Sequence, residues 1–300
     1  MTEHSYSSHS NTINQLVNKS GIQKSDLGIS IAILLTMKWF EFLDVEQEAM
    51  AEFEGVDFDR VLPLSMHWDN WKSSPPDEIR WILTEKLPRH SSNNATGNVK
   101  YRFYLQKLLE NVKYLERLPD LVLKKLVDVI DDLDFEKPVD RQRVLVWYDE
   151  ILVSQSPKEI GESKTPKPVS DLIVKLASPR AGDQIYDPCF GHAGLLTDVA
   201  LSVLSKSTND IPTRTPDRLN IYGVELLGAN CLVGLIRLVL AGVSEPSLEC
   251  GNSLEREVAM NPKSEGFDLV VSNPPWGQKV RPEGLSHFPI KTSDSTGLFI

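Results

Sequence analysis

Residues 184–205 read QIYDPCFGHAGLLTDVALSVLS, and this stretch determines the fold class. A short β-like run ends in Asp187, a turn containing Gly191 and Gly194 follows, and an apolar helical pattern comes next. A strand that turns directly into a helix is the repeating unit of an open parallel α/β sheet. Small residues in such a turn let a nucleoside-like ligand approach the backbone, at the carboxyl ends of the strands. The turn is therefore a candidate ligand loop, although many α/β proteins that bind no nucleotide share this pattern.

The same alternation continues on both sides of this stretch. We predict strands over residues 184–187, 220–224, 247–250 and 267–271, and helices over residues 169–176, 193–205 and 228–241. These elements define an α/β domain with a parallel sheet, which we assign to residues 158–300.

Residues 25–157 differ, because their apolar residues recur mainly at three- and four-residue intervals. This periodicity predicts a mostly α-helical domain, preceded by a polar, flexible tail over residues 1–24. Trp68, Trp71 and Trp81 could form a recognition surface in this domain. Tryptophans in a helical domain are more often packing anchors, which is the interpretation we favour.

The composition excludes several classes of protein. The chain has 41% apolar and 25% charged residues, no secretory signal pattern and no apolar run long enough to span a membrane, so we expect a cytoplasmic protein without membrane contact. Its three cysteines form no CxxC pair and its six histidines lack metal-ligand spacing, so we expect no metal site. The net charge of -10 gives no indication of a basic surface that would bind nucleic acid. If DNA is the substrate, we expect a partner or a missing segment to supply many of the contacts with it.

The second predicted strand ends next to Glu225, at the start of a helical pattern. A carboxylate at this position can accept hydrogen bonds from both hydroxyl groups of a ribose. An acidic residue at the beginning of a helix is also stabilised by the helix dipole alone. Both interpretations stay open for Glu225 when it is considered by itself.

The stretch FDLVVSNPPWG, residues 267–277, is the most specific in the chain. An apolar strand delivers Asn273, Pro274, Pro275 and Trp276 at its carboxyl end. The prolines fix the backbone, and a backbone carbonyl and the Asn273 side-chain oxygen are acceptors for one NH2 group. An adjacent aromatic ring can stack on the planar base that bears this amine. The pattern therefore favours methylation of a conjugated amine over a merely structural strand exit.

These residues resemble the amino-group methyltransferases with an (Asp/Asn/Ser)-Pro-Pro-(Tyr/Phe/Trp) motif, and most closely the modification subunits of type I restriction-modification systems. The resemblance covers roughly residues 25–300. It implies a Rossmann-like S-adenosylmethionine-dependent methyltransferase fold after a helical domain. The family typically reads Gly-Glu-Phe-Tyr-Thr-Pro at the junction, where this chain has GESKTP over residues 161–166. The resemblance implies cofactor contacts for Thr165 and Pro166, whereas the Phe-Tyr pair has no counterpart here.

The resemblance also implies roles for residues at the strand ends. Asp187, Pro188, Gly191 and Gly194 fall on the Asp-Pro-x-x-Gly-x-Gly-Gly cofactor loop of the family, with His192 and Ala193 as departures and alanine in place of a glycine. Asn252 stands where an aspartate usually contacts the adenine amine of the cofactor. The implied cofactor-binding residues are Thr165, Pro166, Asp187, Pro188, Gly191, Gly194, Glu225, Asn252 and Asn273, and the implied catalytic residues are Asn273, Pro274, Pro275 and Trp276.

The implied activity is that of an adenine-specific DNA methyltransferase, which transfers a methyl group from S-adenosylmethionine to the exocyclic N6 amine. The implied partners are double-stranded DNA with a flipped adenine, a specificity subunit or a missing C-terminal segment, and a restriction subunit where one is encoded. The family sheet has strand order 3-2-1-4-5-7-6, and this sequence holds the first four strands. We therefore expect a fragment or one half of a split enzyme. Two alternatives are methylation of RNA or a protein glutamine, and an inactive cofactor-binding assembly module.

Overall fold

A computed structural model describes residues 12–13, 15, 21–89, 101–155, 165–207, 219–255, 266–280, 288 and 292–299. The chain divides into two compact units, Met1–Ser156 and Pro157–Ile300. Most of the predicted tail and the junction residues 161–164 lie outside the described residues, although Ile13 is helical and buried. None of the described helices is both long and apolar enough to cross a membrane.

The described part of the first unit is helical. It also contains two 3-10 turns, Leu64–Met66 and Trp68–Asn70, and a π-helical turn, Ile82–Lys86. The α-helices are α1 (Lys24–Glu54), α2 (Pro76–Trp81), α3 (Arg102–Asn111), α4 (Lys113–Glu116), α5 (Asp120–Asp131) and α6 (Pro138–Gln155).

Helix α1 forms the centre of the first unit. Most of its side chains between Leu27 and Phe40 are buried on every side, as expected for a helix that is apolar around its whole circumference. The helix ends where Gly55 adopts a left-handed conformation with φ 69°. Helices α3 to α6 pack around α1 and complete a helical core.

The tryptophans of the first unit differ in exposure. Trp68 and Trp71 are each 1% exposed, whereas Trp81 is 49% exposed. The Trp68 indole donates to Asp131 Oδ1 over 2.9 Å, and the Trp71 indole donates to the Met66 carbonyl over 3.0 Å. Trp68 and Trp71 are therefore packing anchors, as expected from the sequence.

The second unit contains a four-stranded parallel sheet with strand order β3-β2-β1-β4. The described elements of this unit are α7 (Lys167–Ala177), β1 (Gln184–Asp187), α8 (Gly194–Ser207), β2 (Asn220–Glu225), α9 (Gly228–Ala241), β3 (Ser247–Cys250), a 3-10 turn (Ser253–Glu255), β4 (Leu269–Val270) and α10 (Ser295–Phe299). Helix α8 packs against α7 and α9, and α9 packs on β2 and β3.

The predicted elements agree with this sheet, although several bounds differ by one or two residues and two differences have a consequence. Helix α8 begins at Gly194 and not at residue 193, because Ala193 has φ 54° and cannot continue a right-handed helix. Strand β4 covers two residues instead of the predicted 267–271. Asp268 and Val271 each donate one backbone hydrogen bond to β1 on either side of this short ladder.

Candidate active site

The four strands end at one edge of the sheet, where four polar side chains follow them in spatial order. Asn252 follows β3, Glu225 ends β2, Asp187 ends β1 and Asn273 follows β4. Asn252 and Asn273, which follow the two outer strands, are 21 positions apart in the sequence. Asp187 and Asn273, which follow adjacent strands, are 86 positions apart. The parallel topology therefore brings the predicted site residues to one edge, the usual ligand position in open α/β sheets.

The loop after β1 is anchored by Phe190, which is 5% exposed. A Cβ atom added to Gly223 would lie 2.5 Å from Phe190 Cδ1, and one added to Gly234 would lie 2.7 Å from Phe190 Cε2. The ring is therefore held between β2 and α9 because both positions are glycine. In addition, the Phe190 N–H donates to the Val224 carbonyl over 3.2 Å.

The same loop contains two residues in the left-handed region. Gly191 has φ 57° and open space where a Cβ would stand, so its backbone can be approached closely. Ala193 has φ 54° and is fully buried, in a conformation that L-residues other than glycine rarely adopt. The departure from glycine at Ala193 therefore preserves the turn and adds backbone strain.

Gly194 has no positive φ, and it lies beside a buried arginine. A Cβ there would lie 3.4 Å from Nη1 of the buried Arg237, which itself donates to the His192 carbonyl over 2.5 Å. Arg237, on α9, thus secures the second half of the loop. The sequence patterns gave no indication of a role for Arg237.

Glu225 is 8% exposed and its carboxylate accepts three internal hydrogen bonds. Oε2 accepts from the Gly191 N–H over 3.0 Å, and Oε1 accepts from the Leu227 N–H over 3.0 Å and from Asn230 Nδ2 over 3.3 Å. A carboxylate offers about four acceptor positions. Glu225 therefore ties the ligand loop to β2 and retains about one acceptor position for a further donor.

Asp187 connects the ligand loop to the motif after β4. Its Oδ1 accepts hydrogen bonds from the Cys189 N–H and from the Ser272 hydroxyl, both over 3.0 Å. Asp187 is 2% exposed, and this burial raises the pKa of its carboxyl group to about 7. Because Ser272 immediately precedes Asn273, this carboxyl group sets the spacing between the two halves of the site.

Cys189 lies beside this connection, with Sγ 3.0 Å from Ser272 Oγ. Burial raises the pKa of the Cys189 thiol to about 12. A thiol with such a pKa stays protonated, and the Ser272 hydroxyl already donates to Asp187, so the thiol donates to Ser272 Oγ. Cys189 is consequently a packing and hydrogen-bonding residue, and not a nucleophile.

Asn252 caps the turn after β3. Its Oδ1 accepts from the Leu254 N–H over 3.1 Å, and its backbone carbonyl accepts from the Glu255 N–H over 3.2 Å. The Gly251 N–H donates to the Glu225 carbonyl over 2.9 Å, which holds this turn beside β2. The structure thus keeps Asn252 next to Glu225, and its side-chain oxygen has a second lone pair to offer.

Asn273 is joined to residues on both sides of the site. Its Nδ2 donates to Thr165 Oγ1 over 3.1 Å, and its Oδ1 accepts from the Trp276 indole N–H over 3.1 Å. Thr165 is half-buried, Pro166 caps α7 and is exposed, and the Trp276 side chain is 62% exposed. Residues 108 positions apart in the sequence are therefore in direct contact.

The first residues of α10 support the Pro-Pro turn. The Pro275 carbonyl accepts from the hydroxyls of Ser295 and Thr296, each over 3.2 Å, and the Gly277 N–H donates to Thr296 Oγ1 over 3.3 Å. Ser295 is 2% exposed. No described residue donates a hydrogen bond to the Pro274 carbonyl, so this acceptor differs from its neighbour.

Several residues that build the site were missed by sequence reasoning. They carry no motif, because their contribution depends on packing or on a single hydrogen bond with a distant partner. These residues are Phe190, Asn230, Arg237 and Ser272. Among the described residues there is also no group of three or more histidine, cysteine, aspartate or glutamate side chains that could hold a metal ion.

Comparisons with known proteins extend these observations. Residues 148–290 match the family described as N-6 DNA Methylase. The methylase subunit of the type I restriction enzyme EcoEI of Escherichia coli is 24% identical over 295 residues, which cover 93% of this chain and 59% of that subunit. The methylase subunit of the type I restriction enzyme MjaVII of Methanocaldococcus jannaschii is 26% identical over 189 residues, 61% of this chain and 30% of that subunit.

Solved structures show the same fold. A chain of a type I restriction-modification assembly aligns with a TM-score of 0.75 at 24% identity, over 97% of this chain and 60% of that one. The type I methyltransferase subunit of Streptococcus thermophilus aligns with a TM-score of 0.64 at 14% identity, over 98% of this chain and 71% of that one.

The sheet has the Rossmann-like fold of S-adenosylmethionine-dependent methyltransferases. The expected fold is thereby confirmed. The chain is similar, more narrowly, to the methylase subunits of type I restriction enzymes. It spans about 59% of the length of the EcoEI subunit that it matches.

Proposed function

We propose that this chain provides the S-adenosylmethionine and target-amine sites of an adenine-specific DNA methyltransferase, the modification subunit of a restriction-modification system. The observation that carries this proposal is the placement of Asn273, Pro274, Pro275 and Trp276 at the end of β4, directly beside the ligand loop of β1. The Ser272–Asp187 hydrogen bond of 3.0 Å supports this spacing between the cofactor and amine sites.

The residues at the strand ends fit S-adenosylmethionine. Gly191 leaves open space beside the loop backbone, and Glu225 retains an acceptor position for one ribose hydroxyl. A second hydroxyl could replace Asn230 Nδ2, the most distant donor at 3.3 Å. Leu226, which is 63% exposed beside Glu225, offers an apolar surface for an adenine ring. Thr165, Pro166, Asp187, Pro188, Gly194 and Asn252 complete the proposed cofactor site. When bound, this cofactor supplies an electrophilic methyl group on a sulfonium centre.

Asn273 and Pro274 are proposed to orient the target amine. Two acceptors, Asn273 Oδ1 and the Pro274 carbonyl, would receive the two N–H groups and direct the nitrogen lone pair toward the methyl group. Trp276 would stack on the base, and its 62% exposure leaves room for this. Most of the rate enhancement would come from orientation, since no described residue needs to act as a covalent nucleophile.

The base must leave the double helix before its amine can reach this site, at a cost of a few kcal/mol. A chain with a net charge of -10 offers little non-specific attraction to phosphates. We therefore propose that a specificity subunit or further protein segment supplies DNA contacts, together with a restriction subunit in systems that encode one.

The test is transfer of a tritiated methyl group to DNA, RNA and a glutamine-containing protein, with the chain alone and with the specificity subunit encoded beside it. We expect methyl transfer to adenine in DNA. Asn273→Ala should lower this transfer at least about a hundredfold. Asn70→Ala, a matched change of an exposed asparagine in the helical unit, should leave the transfer unchanged. Unchanged transfer by Asn273→Ala would refute the proposed mechanism. Cofactor binding without transfer under both conditions would instead indicate an inactive assembly module, which the departures at Ala193 and Asn252 favour.

A further inference from the structure

Three side chains form a hydrogen-bonded series across the candidate site. Thr165 Oγ1 accepts from Asn273 Nδ2, and Asn273 Oδ1 accepts from the Trp276 indole N–H, with both distances 3.1 Å. Thr165 precedes α7, whereas Asn273 and Trp276 follow β4. The series therefore connects the residue before α7 with the Asn-Pro-Pro-Trp motif after β4.

The chemistry of the three groups determines how the Asn273 amide is turned. An indole N–H can only donate, so the atom of Asn273 that faces Trp276 must be the oxygen. The NH2 group must then face Thr165, whose hydroxyl oxygen is able to accept. In the reversed orientation, the Asn273 NH2 group would face the Trp276 indole N–H, and two donors cannot form a hydrogen bond with each other. The amide therefore has one stable orientation.

The position of Thr165 is held by the helix that follows it. The Pro166 carbonyl accepts from the N–H groups of Val169 and Ser170, which forms the first turn of α7. On the other side of this turn, Asp198 of α8 accepts from the Ser170 hydroxyl over 2.5 Å and pairs with Lys167 over 3.1 Å. Thr165 therefore stands at the fixed end of a helix that is fastened to its neighbour.

From this geometry we propose that Thr165 is a positioning residue, which sets the orientation of the Asn273 amide for the target amine. This inference rests on the proposed function, because it concerns the same Asn273 oxygen. It assigns Thr165 a role beyond the cofactor contact expected from the resemblance. The Thr165 hydroxyl can serve both roles, since it accepts from Asn273 and retains its own hydrogen to donate.

Before the base binds, the Trp276 indole N–H forms the hydrogen bond that the target amine would form with Asn273. Its indole N–H occupies the acceptor that the target amine uses, so Asn273 Oδ1 is paired before the base arrives. The arriving amine replaces one N–H donor by another, and the exposed indole turns onto the face of the base. Asn273 thus keeps one orientation before and after the base enters.

The first test observes the indole signals of the 15N-labelled chain by NMR, without any need for turnover. The chain has six tryptophans, and the signal that Trp276→Phe removes is that of Trp276. We expect Thr165→Val to shift this signal and to accelerate its exchange with water, while Thr165→Ser, which retains the hydroxyl, restores both. Thr84→Val in the helical unit is the matched control, because it removes a threonine hydroxyl that donates to Arg80 over 2.9 Å. It is expected to leave the Trp276 signal unchanged.

The second test separates positioning from cofactor binding. We expect Thr165→Val to lower kcat by about tenfold through misorientation of the amide, beyond any change in the Kd of S-adenosylmethionine measured by calorimetry. An unchanged Trp276 signal in Thr165→Val, or a loss of activity fully explained by weaker cofactor binding, would overturn the proposal. Thr165→Ala serves if the valine variant does not fold. If the wild-type chain transfers no methyl group under any condition, the proposed function fails, whereas the indole signals still decide the role of Thr165.

Discussion

Gly234→Ala is expected to destabilise the second unit, although the same change stabilises most helices. Alanine is favoured over glycine in a helix interior by ~1 kcal/mol. At Gly234, however, the new Cβ would lie 2.7 Å from Phe190 Cε2 and 3.1 Å from Ala193 Cβ. The Phe190 ring cannot retreat freely, because Gly223 of β2 borders its other side. Overpacking costs about 1–3 kcal/mol, and a contact under 3.0 Å places the cost in the upper part of this range, at about 2–3 kcal/mol. After subtraction of the ~1 kcal/mol helix gain, we expect a net loss of about 1–2 kcal/mol.

The assay is thermal unfolding of the purified chain, combined with calorimetric titration of S-adenosylmethionine. For a unit of this size, the expected loss lowers the melting temperature by about 2–8 °C. Cofactor binding should weaken as well, because a displaced Phe190 shifts the loop that contains Gly191. For the unfolding measurement, Gly194→Ala is the matched control, since its Cβ would meet Arg237 Nη1 at 3.4 Å and Nη2 at 4.0 Å, which are ordinary contacts.

A double mutant identifies the cause of the effect. Phe190→Leu removes part of the ring that the new methyl group would meet, so the combination with Gly234→Ala should cost less than the sum of the two single changes. A Gly234→Ala variant that melts at or above the wild-type temperature and binds cofactor normally would refute the explanation from Phe190 packing.

Two further predictions concern the same loop. Ala193→Gly is expected to raise the free energy of unfolding by up to ~1 kcal/mol in urea titrations, because glycine removes the strain of φ 54° at the expense of one buried methyl group; a clear loss of stability would contradict this. Asp187→Asn should flatten the pH dependence of stability. The folded pKa of about 7 lies above the ordinary value of 3.8, so the contribution of Asp187 is complete below about pH 4 and is lost as the pH rises through 7. Urea unfolding at pH 4 to 8 should therefore show that the variant gains stability relative to wild type as the pH rises. If the free energies of unfolding of the two proteins changed in parallel with pH, Asp187 would not be the source of the pH dependence.

Much of the sheet could be predicted because its strands and helices have local periodicity. Strands over residues 184–187 and 247–250 were predicted with their observed bounds, as was the helix Gly228–Ala241. The errors lie at boundaries, such as the start of α8, where the sequence has an alanine and the backbone needs a left-handed turn. Helical periodicity does not indicate the φ of a single residue.

The candidate site shows the same division. The motif Asn273 to Trp276 could be recognised because a proline pair between an amide and an aromatic residue has few structural reasons to occur after a strand. The packing of Phe190 between Gly223 and Gly234 could not be predicted, because phenylalanine and glycine have no distinctive spacing in the sequence. Ser272 was included in the motif region without a role, and only its distance to Asp187 indicates one.

Residue types at short spacing were enough to indicate the fold class, the family resemblance and the residues at the strand ends. Only the tertiary structure showed which side chains meet. Parallel strand order places the ends of β1 and β4 side by side, so Asp187 contacts Ser272 across 85 positions and Thr165 contacts Asn273 across 108. Such contacts depend on the path of the whole chain, since hydrogen bonds require approach within about 3 Å, which local periodicity does not specify.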